Sequence, residues 1–477
     1  MQSKLIAVIV SCAAAWFLAL LAGARPGHSA APASFQAQSR VRQAGPRLHP
    51  DVPQLTEVAV DLPSMATGSP VGTLALSVHY PSISRFAEGA PVVIWVHGGY
   101  DAGRLQPEIP PAGNDLILIL FLFPGGEDPT HGRFSDGVYD NRGADSILAL
   151  RDVILFAAGR LADDRNRTID DIVATPVMHD NIGLVGKSNS GNILSAVATL
   201  HGPAISDHLK YLILWESPFS SQIATRDLGR PILQPGGGIQ GEYENPRRLG
   251  YGRLAIPVDF DDLAFDPAGP LYRVFHDGNG DGHYTTIARP GDGLPTPDLD
   301  LDGVLELDED FPLDTYPSDD GVVCYSRPVT RALDDRNVIP GGWPDDIAPP
   351  DEAAAYWDLR EGVRLLPLAL DRVPDLEGML IATVRDHVQA PIDKPNIRQA
   401  FETWRSGNGW VQINPSPAYM VAADDTLAGH TGLPSNPPNT PPHSWGHPET
   451  YCIGEDIPDD TGLLAAVWQM ADRAAAR

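Results

Sequence analysis

The stretch Gly183-Leu-Val-Gly-Lys-Ser188-Asn-Ser-Gly191-Asn192 decides how the rest of the chain is read. An apolar run ends, small and polar residues follow, and residues 192–201 (NILSAVATLH) continue with helical spacing. A serine hydroxyl is a weak nucleophile at neutral pH and needs a base beside it. A sharp strand-to-helix turn lifts the side chain into the open, and it needs small residues two positions to either side. Gly186 and Ser190 stand there around Ser188. The free amides at the helix start favour negative charge developing nearby. Ser190, framed by Ser188 and Asn192, is the rival nucleophile. Ser188 is preferred because the apolar strand ends at the right distance before it.

Working outward, residues 91–97 (PVVIWVH) and 115–123 (DLILILFLF) are continuous apolar runs that end at Gly98-Gly99 and Pro124-Gly125-Gly126. Such runs suit parallel strands buried on both faces. Residues 143–161 have helical spacing, and 181–186 and 209–215 read as further strands. The alternation predicts a parallel sheet with crossover helices. Residues 73–80 (TLALSVHY) alternate, which predicts a strand with one exposed side. From 219 to 370 Pro, Gly and Asp dominate, with one helix expected over 351–366. The pattern resumes with a strand at 378–384, a helix at 397–405, a strand at 410–414 and a helix at 461–475. The chain is therefore read as one α/β domain over 51–218 and 371–477, interrupted by a loop-rich insertion at 219–370.

These residues resemble the α/β-hydrolase superfamily. The turn is its G-x-S-x-G pattern, with Ser190 in place of the final glycine and Gly191 directly after it. Residues 94–100 (IWVHGGY) resemble its H-G-G loop. With Asp140-Asn-Arg142-Gly143 and Trp215-Glu-Ser-Pro218, the run 91–218 looks closest to the dienelactone-hydrolase and prolyl-oligopeptidase-like branch. The resemblance implies an α/β-hydrolase fold, a mostly parallel sheet flanked by helices. It also implies the chain order Ser, acid, His. Asp386, in residues 381–388 (IATVRDHV), is then the acid, with Asp393 as rival. The base falls among His430, His443 and His447; Gly446-His447-Pro448 is the best match to the G-H pair before the last helix. The amide of Asn189 and that of Gly99 or Tyr100 become the oxyanion donors. Arg142 is read as tying loops together through a buried ion pair, in preference to binding a substrate carboxylate. The implied activity is ester hydrolysis by a secreted, carboxylesterase-like serine hydrolase working through an acyl-enzyme. A prolyl-oligopeptidase-like peptidase is one alternative, and a non-catalytic extracellular binding protein on the same fold is another. The substrate is expected to be a small-molecule ester or a peptide, with no organic cofactor.

The insertion carries two acidic stretches of another kind. Asp298, Asp300, Asp302, Gly303, Val304 and Glu309 fit the D-x-D-x-D-G-x5-E calcium loop residue by residue. Asp277, Asn279 and Asp281 begin a second loop that has Ala288 where its closing carboxylate belongs. Structural Ca2+ is expected there, bracing a region with little helix.

Lys4, the apolar run 5–21 and the small residues of Ala22-Gly23-Ala24 read as a signal peptide over 1–24. A Pro- and Ala-rich linker follows over 25–50. This predicts a secreted or periplasmic protein, with an uncleaved anchor as the alternative. No later stretch is long and apolar enough to span a bilayer. Cys324 and Cys452 would then share an oxidising compartment, where one disulfide is expected. The formal charge of −28 repels phosphate backbones, which argues against nucleic acid as a partner.

Overall fold

The computed structural model describes residues 54–98, 102–107, 115–219, 327–383, 395–427, 452–454 and 459–477, with short pieces between 230 and 325. The expected signal peptide and linker, and both expected calcium loops, lie outside the described residues. Among the described residues no helix is long and apolar enough to cross a membrane.

The apolar runs build one eight-stranded sheet. Its strands are β1 (Leu55–Ser64), β2 (Gly72–Pro81), β3 (Ala90–Val96), β4 (Ile117–Phe121), β5 (Val177–Lys187), β6 (Leu209–Trp215), β7 (Glu377–Ile381) and β8 (Val411–Ile413). They lie in the order β1-β2-β4-β3-β5-β6-β7-β8. β2 runs antiparallel to β1 and β4, and every pairing from β4 to β8 is parallel.

Successive side chains point to opposite faces of a strand, so a continuous apolar run feeds two cores at once. Val92, Ile94 and Val96 of β3 enter one core, while Val93 and Trp95 enter the other. β4 divides in the same way, with Ile117, Ile119 and Phe121 against Leu118 and Leu120. The first face is covered by α1 (Ala144–Ala157), α2 (Ser190–Ile205), α3 (Gly362–Arg372) and α4 (Pro395–Ser406). The second is covered by α5 (Pro417–Thr426) and α6 (Asp459–Ala475). One fit between neighbouring strands is tight: a Cβ on Gly183 would lie 1.8 Å from the Tyr211 ring.

Three sequence expectations change. β2 is buried through Leu74–His79 because Ser77 donates to Glu57 at 2.8 Å and Ser135 accepts the Ala75 amide at 2.9 Å, covering the side expected to face water. The helix expected over 351–366 is two helices, Pro350–Asp358 and α3. It breaks where the Gly362 amide turns to the Phe219 carbonyl, and a Cβ on Gly362 would meet the Phe219 ring at 2.5 Å. The expected disulfide is absent. Cys324 packs with Ala348, Ala353 and Trp357 in a small cluster of the insertion, whereas Cys452 joins the main core, so the two buried thiols occupy separate clusters. A further small core forms in the insertion around helix Arg327–Asp335, where Val329 and Leu333 pack with Leu263, Val274, Tyr325 and Ile347.

The amino ends of the parallel strands are closed by charge. Arg85 lies just before β3 and has no exposed side-chain surface. It donates to Asp472 of α6 at 2.6 and 2.8 Å and to Asp115, just before β4, at 2.9 Å. Tyr419 donates to Asp472 and Trp468 to Asp115, so both carboxylates are shared. Burial opposes the charge on Arg85, but the bond to Asp472 and the nearby Asp115 charge hold its pKa above the ordinary value.

Candidate active site

The carboxyl ends of β3, β5, β6, β7 and β8 meet at the opposite edge. β5 ends at Lys187, and Ser188 follows with φ +54°, a left-handed conformation that side chains other than Gly and Asn rarely adopt. Holding it costs about 1–3 kcal/mol, so the surroundings must impose it. The Ser188 amide is held by the Trp215 carbonyl at 2.8 Å, and its carbonyl accepts from Gly191 at 3.1 Å. α2 then leaves at once. A Cβ on Gly186 would sit 3.0 Å from the Gly191 nitrogen, and one on Gly191 would strike the Ser217 hydroxyl at 2.2 Å. The glycines at 186 and 191 let the strand and helix approach closely enough for the turn to form.

The two serines separate in this geometry. Ser188 is half-buried at the turn, while Ser190 is fully buried in the first turn of α2 with its hydroxyl donating to the His97 carbonyl. Asn189 lies between them, 7% exposed, with its Oδ1 lacking a hydrogen-bond partner. The loop after β3 meets the turn directly, since a Cβ on Gly98 would lie 2.8 Å from the Lys187 carbonyl. A tight strand–turn–helix elbow with a glycine loop after an adjacent strand is a recognisable whole. The fold is that of an α/β-hydrolase.

Other groups at this edge of the sheet were given no role from sequence. Glu216 follows β6, is 5% exposed, has φ +46°, and accepts a hydrogen bond from the Thr383 hydroxyl. Its signal in the sequence is a charge placed directly after a buried run. Asn414, after β8, pairs both ways with Ala382: its Oδ1 accepts from the amide at 2.9 Å and its Nδ2 donates to the carbonyl at 3.0 Å. That side chain extends the sheet by one rung. Beyond it the Ile453 amide donates to Ala382 at 2.8 Å, and Thr383 and Ile453 form a parallel bridge. Arg142 departs from its expected role. It ties loops together, but by donating to the His97 carbonyl at 2.9 Å rather than to a carboxylate. Asp386, the histidines at 430, 443 and 447, and the Gly99 and Tyr100 amides lie outside the described residues.

No known protein family and no curated protein matches this sequence. Solved structures similar to part of it include a hyperthermophilic esterase from the archaeon Pyrobaculum calidifontis, 15% identical, covering 38% of this chain and 48% of that one at a TM-score of 0.23. A bacterial heroin esterase is 10% identical, with 37% and 50% covered at a TM-score of 0.26. A prolyl endopeptidase is 13% identical, with 35% and 22% covered at a TM-score of 0.24. The chain spans about half the length of the two esterases. Likeness of this order says nothing of substrate, and the strand order and the elbow carry the fold.

Proposed function

We propose that the protein is a serine hydrolase that cleaves esters through Ser188, Asp386 and His447. The observation that carries this reading is Ser188 itself: a half-buried serine forced to φ +54° between a buried strand and the start of a helix. Its Oγ attacks the substrate carbonyl carbon while His447 takes the proton. His447 returns that proton to the departing alkoxide, and water then releases the acid by the same steps in reverse. Asp386 orients the imidazole, and the amides of Asn189 and of Gly99 or Tyr100 receive the oxyanion. The bridge between Thr383 and Ile453 supports the choice of partners, because Asp386 is three residues past one end and His447 six before the other.

A fluorophosphonate probe with peptide mapping tests the reading. Label on the peptide containing Ser188 supports it, and folded protein that takes up no label overturns it. Secretion and structural calcium belong to the same proposal. The donor set of 298–309 is all hard oxygen, which suits Ca2+, and its role is to brace the insertion. EDTA is expected to lower Tm and added Ca2+ to restore it, and a melt indifferent to both removes calcium from the account.

A further inference from the structure

Among the described residues, three that are neither glycine nor asparagine adopt left-handed backbone: Arg142 at φ +64°, Ser188 at +54° and Glu216 at +46°. Strain of this kind collects at functional sites. All three converge on the carboxyl edge of the sheet, and Arg142 has a geometry that explains its presence there.

Arg142 lies in the turn before α1. Asp140 fixes that turn by accepting from the Gly143 amide at 2.9 Å and the Asp145 amide at 2.6 Å. Asn141 and Arg142, both left-handed, then send the Arg142 side chain back over the Phe123 ring. Arg142 is 5% exposed, its Nε lacks a hydrogen-bond partner, and its Nη2 donates to the His97 carbonyl at 2.9 Å. The Ser190 hydroxyl donates to the same oxygen. A peptide unit is planar, so two donors on the His97 oxygen set the orientation of the Gly98 amide as well. That peptide heads the glycine loop. The turn is held in turn by the insertion: Arg360 donates to the Asn141 carbonyl and, at 2.7 Å, to Tyr356, whose ring it covers at 3.5 Å.

We infer that Arg142 is a positioning residue for the oxyanion loop. Together with Ser190 it clamps the His97 carbonyl and so fixes the His97–Gly98 peptide from which the oxyanion loop departs. Arg360 makes the insertion a buttress of that clamp. The inference rests on the serine-hydrolase reading and adds a determinant of its transition state.

The test uses full-length protein, p-nitrophenyl butyrate as substrate and phenylboronic acid as a probe that forms a tetrahedral adduct on the serine. R142M is expected to lower kcat by about 10- to 100-fold, a fraction of the effect of deleting an oxyanion donor. KM should stay within twofold, and phenylboronic acid should weaken by the same factor as kcat. R142K keeps a donor and should recover part of both, and S190A should show a smaller loss of the same kind. If R142M does not fold, R142K and S190A decide the matter. The clamp is overturned if kcat and boronate affinity of the folded variants stay within twofold of wild type, or if the loss falls on KM alone. A wild-type protein that neither turns over esters nor takes a fluorophosphonate overturns the hydrolase reading itself, so the two failures are distinct.

Discussion

The two edges of the sheet are built on opposite terms. At the amino edge, Arg85, Asp115 and Asp472 are buried together, and Tyr419 and Trp468 complete their bonds. At the carboxyl edge, Ser188, Arg142 and Glu216 sit in left-handed backbone, and Asn189 and Asn192 each keep a buried side-chain oxygen without a partner. The amino edge joins the layers through paired charge, although Asn181 Oδ1 and the Tyr211 hydroxyl beside it also lack partners. What sets the carboxyl edge apart is its left-handed backbone, a strain that collects at functional sites. Stability and chemistry are thus separable by position, and substitutions at the two edges should fail in different ways.

The largest effect is expected at Ser188. S188A should reduce ester turnover by roughly 10^4-fold or more, as removal of a nucleophile from a working triad does. Its Tm should stay near wild type, since the hydroxyl is not a support for the fold. A loss of Tm comparable to that of a core substitution would erase the distinction between the edges. Next comes R85M, which strands two buried carboxylates and should destabilise by about 3–5 kcal/mol in urea unfolding. Its kcat, measured on protein still folded, should be unchanged. A selective loss of kcat would show that the clasp reaches the site.

The smallest effect is a pH dependence, again away from the carboxyl edge. Asp163 is 4% exposed and accepts from the Arg167 side chain at 2.6 and 2.9 Å and from the Arg165 and Arg167 amides. Burial would raise its pKa, but those bonds outweigh burial and hold it below the ordinary value. A carboxylate with a depressed pKa contributes stability above its unfolded value, about 3.9, and loses it as pH falls through the lower folded value. D163N should therefore lower Tm at pH 7, and the gap should close below about pH 4. A gap that persists unchanged at pH 3 would mean the stabilisation is not ionic.

Much of this was legible in the residues. The runs at 91–97, 115–123 and 209–215 announce buried strands because they must fill two cores, and Ser188 is marked by a strand end and small neighbours. Illegible features came from contacts distant in sequence. No local pattern says that Phe219 will split a helix at Gly362, or that Ser77 will be covered by Glu57. α5 carries no clear sequence signal, since its apolar spacing is weak, although Tyr419, Met420 and Ala423 bury one of its faces. The disulfide expectation rests on cysteine count and compartment, and neither carries information on which cluster each thiol joins. Arg142 was placed correctly between loops, but its acceptor is a backbone carbonyl, which no sequence motif encodes.

The Arg85–Asp472 contact spans 387 positions of the chain, and the Trp468–Asp115 contact spans 353. During synthesis, β3 and β4 therefore emerge long before the helix that closes their amino ends. Native contacts so distant along the chain form late and slow the search. Until residue 472 has been made, the nascent sheet keeps one apolar face without its final cover. That interval is when a chaperone would find it, and it ties the timing of competence to the last helix rather than to the serine.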